Sequence, residues 1–131
     1  MRYLALDLGD RRIGLAVGDD EARIARSLPA LRRRTREADL AALRRVIREE
    51  GVQALLIGMP LTLRGDVGPQ AARTRALAER LAADLALPVE FRDERLTTKA
   101  AARYRTGKRF DIDSAAAALL LQERLDEGAS R

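Results

Sequence analysis

At 131 residues the chain suits one hydrophobic core and leaves little room for a second. It has no cysteine and no histidine, which excludes disulfides, thiolate or imidazole metal sites, and Ser-His or Cys-His nucleophilic systems. With 47% apolar and 34% charged residues and a net charge of +5, any acid–base or metal chemistry falls to Asp, Glu, Lys, Arg, Ser, Thr or Tyr.

Tyr3 to Leu8 is a short apolar run that meets an acid, Asp7, and then Gly9, and it reads as a buried strand. Arg12 to Val17 alternates, with Ile13, Leu15 and Val17 on one face, and predicts a second strand. The tight link Gly9-Asp10-Arg11 predicts an antiparallel hairpin. A third strand is placed over Arg23 to Leu28. Arg36 to Glu50 has helical spacing, with Leu40, Leu43 and Ile47 on one face and Gly51 as terminator. Val52 to Ile57, apolar but for Gln53, is expected to form a central parallel strand. Pro69 to Leu85 is a second helix, with Leu77, Leu81 and Leu85 four residues apart, and Pro88 to Arg92 is the last strand. Thr97 to Arg105 is read as a short helix and Ser114 to Leu125 as the final one, with Asp113 as its opening residue and Gly128 beyond its end.

Antiparallel strands followed by alternating helices and strands predict an α/β fold, a mixed five-stranded sheet flanked by helices. No repeat, low-complexity tract or linker divides it, so residues 1–131 are expected to form a single domain. No apolar run approaches the roughly 20 residues of a membrane helix, and Asp7 comes too early for a signal peptide. The expected setting is soluble and cytoplasmic, with no membrane partner.

Three acids stand out by position. Asp7 ends the first strand, Glu94 follows the last, and Asp113 opens the final helix, the places where open α/β sheets carry their sites. Carboxylates gathered there repel one another unless cations neutralise them. Oxygen-only ligands suit Mg²⁺ or Mn²⁺, and two such ions would stabilise the attacking and leaving oxygens of phosphoryl displacement. Each acid also has an ordinary structural reading. Asp113 fits a helix N-cap, and Glu94 can pair with Arg92 or Arg95. Asp7 is different, because an unpaired carboxylate in a buried strand is costly. Asp93 and Asp111 are neighbouring helpers. If the last strand alternates regularly, Asp93 shares a face with Val89 and Phe91, and Glu94 shares one with Arg92.

Four blocks span nearly the whole chain in order: Leu6-Asp7-Leu8-Gly9 with Arg12-Ile13-Gly14; Gly58-Met59-Pro60-Leu61 after a buried strand; Asp93-Glu94-Arg95-Leu96-Thr97-Thr98; and Asp113-Ser114-Ala115-Ala116 with Leu120-Leu121-Gln122. In them the chain resembles the YqgF/RuvX family. The resemblance implies a ribonuclease-H-like fold, with helices on both faces of the sheet, related to the Holliday junction resolvase RuvC. It implies catalytic, metal-holding acids at Asp7, Glu94 and Asp113, and it selects Glu94 over Asp93. It also implies phosphodiester hydrolysis on structured nucleic acid, either DNA junctions or the 5′ end of precursor 16S ribosomal RNA. A resolvase cutting a symmetric junction twice would act as a homodimer, whereas an rRNA nuclease could act as a monomer.

The candidate nucleic-acid contacts are Gly9, Arg12, Gly58, Pro60, Arg95, Thr97 and Thr98. A glycine lets the backbone approach a phosphate, threonines at a helix start present hydroxyls and amides to one, and arginine binds it bidentately. Capping, turn and solvated-surface roles fit the same residues. The basic runs Arg32-Arg33-Arg34 and Arg103, Arg105, Lys108, Arg109 suggest a phosphate track. Tyr3 and Phe91 are expected in the core, which leaves few aromatics to stack bases and favours backbone recognition. The competing reading is a non-catalytic, arginine-rich nucleic-acid-binding or ribosome assembly protein.

Overall fold

The computed structural model describes residues 1–59, 68–93 and 112–129. Five strands form one sheet: β1 (Arg2–Leu8), β2 (Arg12–Asp19), β3 (Arg26–Arg32), β4 (Ala54–Met59) and β5 (Val89–Asp93), in the order β3-β2-β1-β4-β5. The β1–β2 and β2–β3 pairs are antiparallel, and β1–β4 and β4–β5 are parallel. Helices α1 (Arg36–Glu50), α2 (Pro69–Leu85) and α3 (Ile112–Ala129) complete the described elements. The mixed sheet is the expected one. The helix expected over Thr97 to Arg105 lies outside the described residues, as does the second basic run.

The two-residue period of the strands divides the core in two. Leu4 and Leu6 of β1, Ile13, Leu15 and Val17 of β2, and Leu55 and Ile57 of β4 pack with Leu40 and Leu43 of α1 and Ala78, Leu81 and Ala82 of α2. Tyr3, Ala5, Ala16, Ala54 and Leu56 face the other way and meet Ala117, Leu120, Leu121 and Leu125 of α3. Helices therefore cover both faces. Alanine dominates the second layer, which lets α3 lie close to the central strands.

Local chemistry explains where the elements begin and end. Thr35 caps α1, its Oγ1 accepting from Ala38 N at 3.1 Å, and Gly51 closes the helix in the left-handed region at φ 66°. The third strand starts at Arg26, three residues later than expected, because Asp19 builds a turn in front of it. The Asp19 carboxylate accepts from the amides of Glu21 (3.0 Å) and Ala22 (2.6 Å) and pairs with Arg2 at 3.1 Å. These bonds, that to the Ala22 amide foremost, hold its pKa below the ordinary value. β3 then runs on to Arg32 through Pro29. Proline is tolerated because β3 is an edge strand, and the register with β2 shifts at that point, between Ile13 and Leu15. The central strand is likewise displaced from Val52–Ile57 to Ala54–Met59, so Gly58 lies inside β4 instead of after it.

At the β2–β3 irregularity the Leu15 amide donates to Ser114 Oγ at 3.1 Å. Ser114 is completely buried and is the one buried polar side chain among the described residues. Its hydroxyl fastens the first turn of α3 to the middle of the sheet. Ser114→Ala leaves the Leu15 amide without that acceptor, and a loss of about 1–3 kcal/mol is expected from denaturant titration. A change within about 0.5 kcal/mol, the size of an ordinary surface substitution, would contradict this role.

Candidate active site

Asp7 occupies the C-terminal end of β1, with Gly14 of β2 as its cross-strand partner. By strand parity it belongs with Tyr3 and Ala5, on the α3 face. Ser114 grips Leu15, the neighbour of Gly14, so α3 begins beside the strand pair that carries Asp7. Asp113 precedes Ser114 within the first turn of α3, which opens at Ile112, two residues earlier than an N-cap role for Asp113 would require. The sheet and the final helix thus bring two sequence-distant acidic positions to one end of one face. Glu94, Arg95, Thr97, Thr98, Asp111 and Pro60 lie outside the described residues.

The hairpin after Asp7 is tightly closed. Gly9 N donates to Arg12 O at 2.9 Å, and a Cβ on Gly9 would stand 2.8 Å from that carbonyl oxygen. No side chain fits there without moving backbone. Arg33, just past β3, secures the same turn twice. Its amide donates to Arg11 O at 2.8 Å, and its Nη1 donates to Gly9 O at 2.9 Å.

An open cleft of about 760 Å³ lies along this end of the sheet. Asp7, Leu8, Gly9 and Asp10 line it from β1 and the turn, and Arg73, Thr74, Leu77 and Arg80 line it from α2, with Arg33 completing the wall. Asp7 is half-buried, and its carboxylate has no hydrogen bond or ion pair among the described residues. A carboxylate without a counter-charge at the end of a buried strand fits a cation, and an oxygen-only donor set fits Mg²⁺ or Mn²⁺. No group of three or more metal-ligating side chains is gathered among the described residues.

The other candidates separate. Gly9 lines the cleft. Arg12 is exposed at the start of β2 and is not among the lining residues, and Gly58 is buried within β4 opposite Arg92. Asp93 ends β5 and is exposed. On β5, Glu90 and Arg92 engage α3 through Arg124 (3.0 Å) and Glu127, while Val89 and Phe91 pack toward α1 and α2. The arginine run Arg32-Arg33-Arg34 does not act as a unit, since only Arg33 reaches the cleft. Arg73, Arg80 and Asp10 escape a sequence reading because surface arginines on an amphipathic helix look solvated. The available signal is the stripe Arg73, Leu77, Arg80, at helical spacing.

A family model described as RuvX, Holliday junction resolvase, matches residues 1–127. The chain belongs to the RuvX family. Similar RuvX relatives include one from Moorella thermoacetica, 44% identical and spanning 96% of this chain and 95% of the relative. Another, from Anaeromyxobacter, is 47% identical over 96% of this chain and 97% of the relative. Both carry the name "Putative pre-16S rRNA nuclease". Among solved structures, RuvC of Thermus thermophilus in complex with a Holliday junction substrate superposes with a TM-score of 0.63 at 16% identity, over 97% of this chain and 95% of that one. A second RuvC structure from the same organism gives 0.62 at 14% identity, over 99% of this chain and 97% of that one. The RuvX chain therefore has the ribonuclease-H-like fold and belongs to a family of nuclease hydrolases. Among its described residues no helix is long and apolar enough to cross a membrane.

Gly9→Ala should lower nuclease activity while costing little global stability, because the clash is confined to the turn beside Asp7. Activity assays with thermal melting check this. Full activity would show that the turn's close approach does not matter to the site.

Proposed function

We propose that this RuvX chain hydrolyses phosphodiester bonds in structured nucleic acid, with Asp7, Glu94 and Asp113 as the residues that hold two divalent ions, Mg²⁺ or Mn²⁺. One observation carries the reading: the half-buried Asp7 at the end of β1, without a hydrogen bond or ion pair among the described residues, on the sheet face where Ser114 pins the first turn of α3. The alternation of β5 adds support. Glu90 and Arg92 engage α3, the helix on the face of Asp7, so Asp93 has the opposite parity. When bound, such ions activate a water and stabilise the leaving oxygen. The chain's own part is to fix the acids at the sheet's end and hold the hairpin turn through Gly9 and Arg33. Arginine surface beside the acids supplies phosphate affinity without reading bases.

The relatives' names and the junction-bound RuvC support two substrate forms, precursor 16S rRNA and a four-way DNA junction. Cleavage of both by the pure protein, side by side in Mn²⁺, tests the reading. A symmetric junction cut would further require a two-fold dimer. Asp7→Asn should reduce cleavage well beyond the roughly 10–100-fold typical of outer-shell changes at metal sites, and should abolish stabilisation by Mn²⁺ in thermal melts. Undiminished cleavage by the Asn variant, or by the parent in chelator, would overturn the mechanism.

With no histidine in the chain, the rate has no imidazole to titrate near neutrality. Cleavage at saturating Mn²⁺ is expected to rise from acid toward alkaline pH. A bell centred near pH 6.5, the ordinary histidine range, would contradict it.

A further inference from the structure

Helix α2 carries three arginines among its described side chains, and they are used differently. Arg75 is committed: its Nε lies 3.4 Å from Glu79 Oε1, and its guanidinium sits 4.9 Å from the Phe91 ring centroid. Arg73 and Arg80 are exposed and have no ion pair or hydrogen bond among the described residues, and both line the cleft that holds Asp7. They lie seven residues apart with Leu77 between them, so they share one stripe of the helix, about 10 Å apart along its axis. Arg33 lines the same cleft from the β3–α1 link, with its guanidinium positioned by Gly9 O.

Both signs of charge line the cleft. Asp7 and Asp10 come from the β1 end and the turn, and three guanidinium groups come from α2 and Arg33. The acids suit cations, and the arginines suit anions. Arg33 and Arg80 also border an adjoining pocket of about 180 Å³, whose rim includes Arg34 and Arg36. There Arg36 is held by Asp84 at 2.6 Å, a bond that raises its pKa above the usual value, so it is less free to take a new anion.

Resting on the nuclease reading, we propose that Arg73 and Arg80, with Arg33, form a phosphate track that grips the backbone phosphates neighbouring the one cleaved at Asp7. Guanidinium binds phosphate bidentately and ignores base identity. A spacing of about 10 Å corresponds to roughly three phosphates at 3.4 Å of axial rise per strand, so the two α2 arginines hold separate phosphates of one strand. On this assignment α2 supplies much of the affinity, and the Arg32-Arg33-Arg34 run contributes mainly through Arg33. The chemistry is that of a phosphodiester backbone and is common to DNA and RNA.

The test uses the full chain carrying Asp7→Asn, so that substrate survives. Binding of a four-way DNA junction and of a base-paired RNA hairpin is measured across a salt series. Adding R73Q and R80Q should weaken binding at least about tenfold at low salt and reduce the log–log salt slope by about two on the probe the protein prefers. R73K with R80K should keep most of the slope, since the charge remains, while binding less tightly. R45Q with R48Q, on α1 and outside both cavities, should change neither quantity. Melting temperatures of all variants should match the Asp7→Asn parent. A parental slope in the R73Q/R80Q protein, an equal loss in the α1 control, or an equal loss in the lysine variant would overturn the track while leaving the nuclease reading intact. If the Asp7→Asn parent binds neither nucleic acid, the nuclease reading fails and the track falls with it.

Discussion

A single buried hydrogen bond, from the Leu15 amide to Ser114 Oγ, holds the architecture of the site together. Edge strand β3 pairs with β2 out of regular register around Gly14, and the amide just beyond that interruption finds its acceptor on α3. A buried amide without an acceptor is expensive, so the bond is specified strongly even though the net worth of one hydrogen bond is small. It settles where α3 begins. Because Gly14 is also the cross-strand partner of Asp7, the same bond settles how near the start of α3 lies to the acid at the end of β1.

The unequal layers of the core follow from the same arrangement. Leucine, isoleucine and valine fill the α1 and α2 side, where two helices need volume between them and the sheet. Alanine fills much of the α3 side, where one helix must come close enough for a serine to reach a strand amide. Enlarging that layer would push α3 outward and stretch the bond. The α3 side is therefore the one with little tolerance.

Arginine does two jobs in this molecule, and contacts tell them apart better than composition does. Many guanidinium groups are structural. Arg2 bridges Asp19 and Glu50, Arg26 pairs with Glu50 at 2.5 Å, Arg92 engages Glu127, and Arg124 joins Glu90 while lying 5.4 Å from the Tyr3 ring centroid. These pairs tie the loops and outer strands to the helices. The groups that line the cleft with Asp7 are different: Arg73 and Arg80 have no acidic partner among the described residues, and Arg33 bonds only to backbone there. A net charge of +5 hides this division, because it counts paired and unpaired guanidinium groups alike.

Much of this was legible in the chain alone. Alternation in Leu4, Leu6 and Ile13, Leu15, Val17 specifies two strands, and Gly9-Asp10-Arg11 between them specifies a hairpin, because local sterics and a two-residue period leave few other solutions. The spacing of Leu40, Leu43 and Ile47 with Gly51 behind them specifies α1 and its end. Asp7 could be singled out because a carboxylate closing an apolar strand conflicts with its surroundings. The limits of β3 could not be read, since Pro29 is acceptable only on an edge and edge position is a property of the whole sheet. Nor could the role of Ser114, which depends on an amide 99 residues away. The gathering of Arg33, Arg73 and Arg80 around Asp7 was hidden for the same reason. Each is locally an ordinary surface arginine, and only the packing of α2 and the β3–α1 link against the end of β1 puts their charges into one cleft.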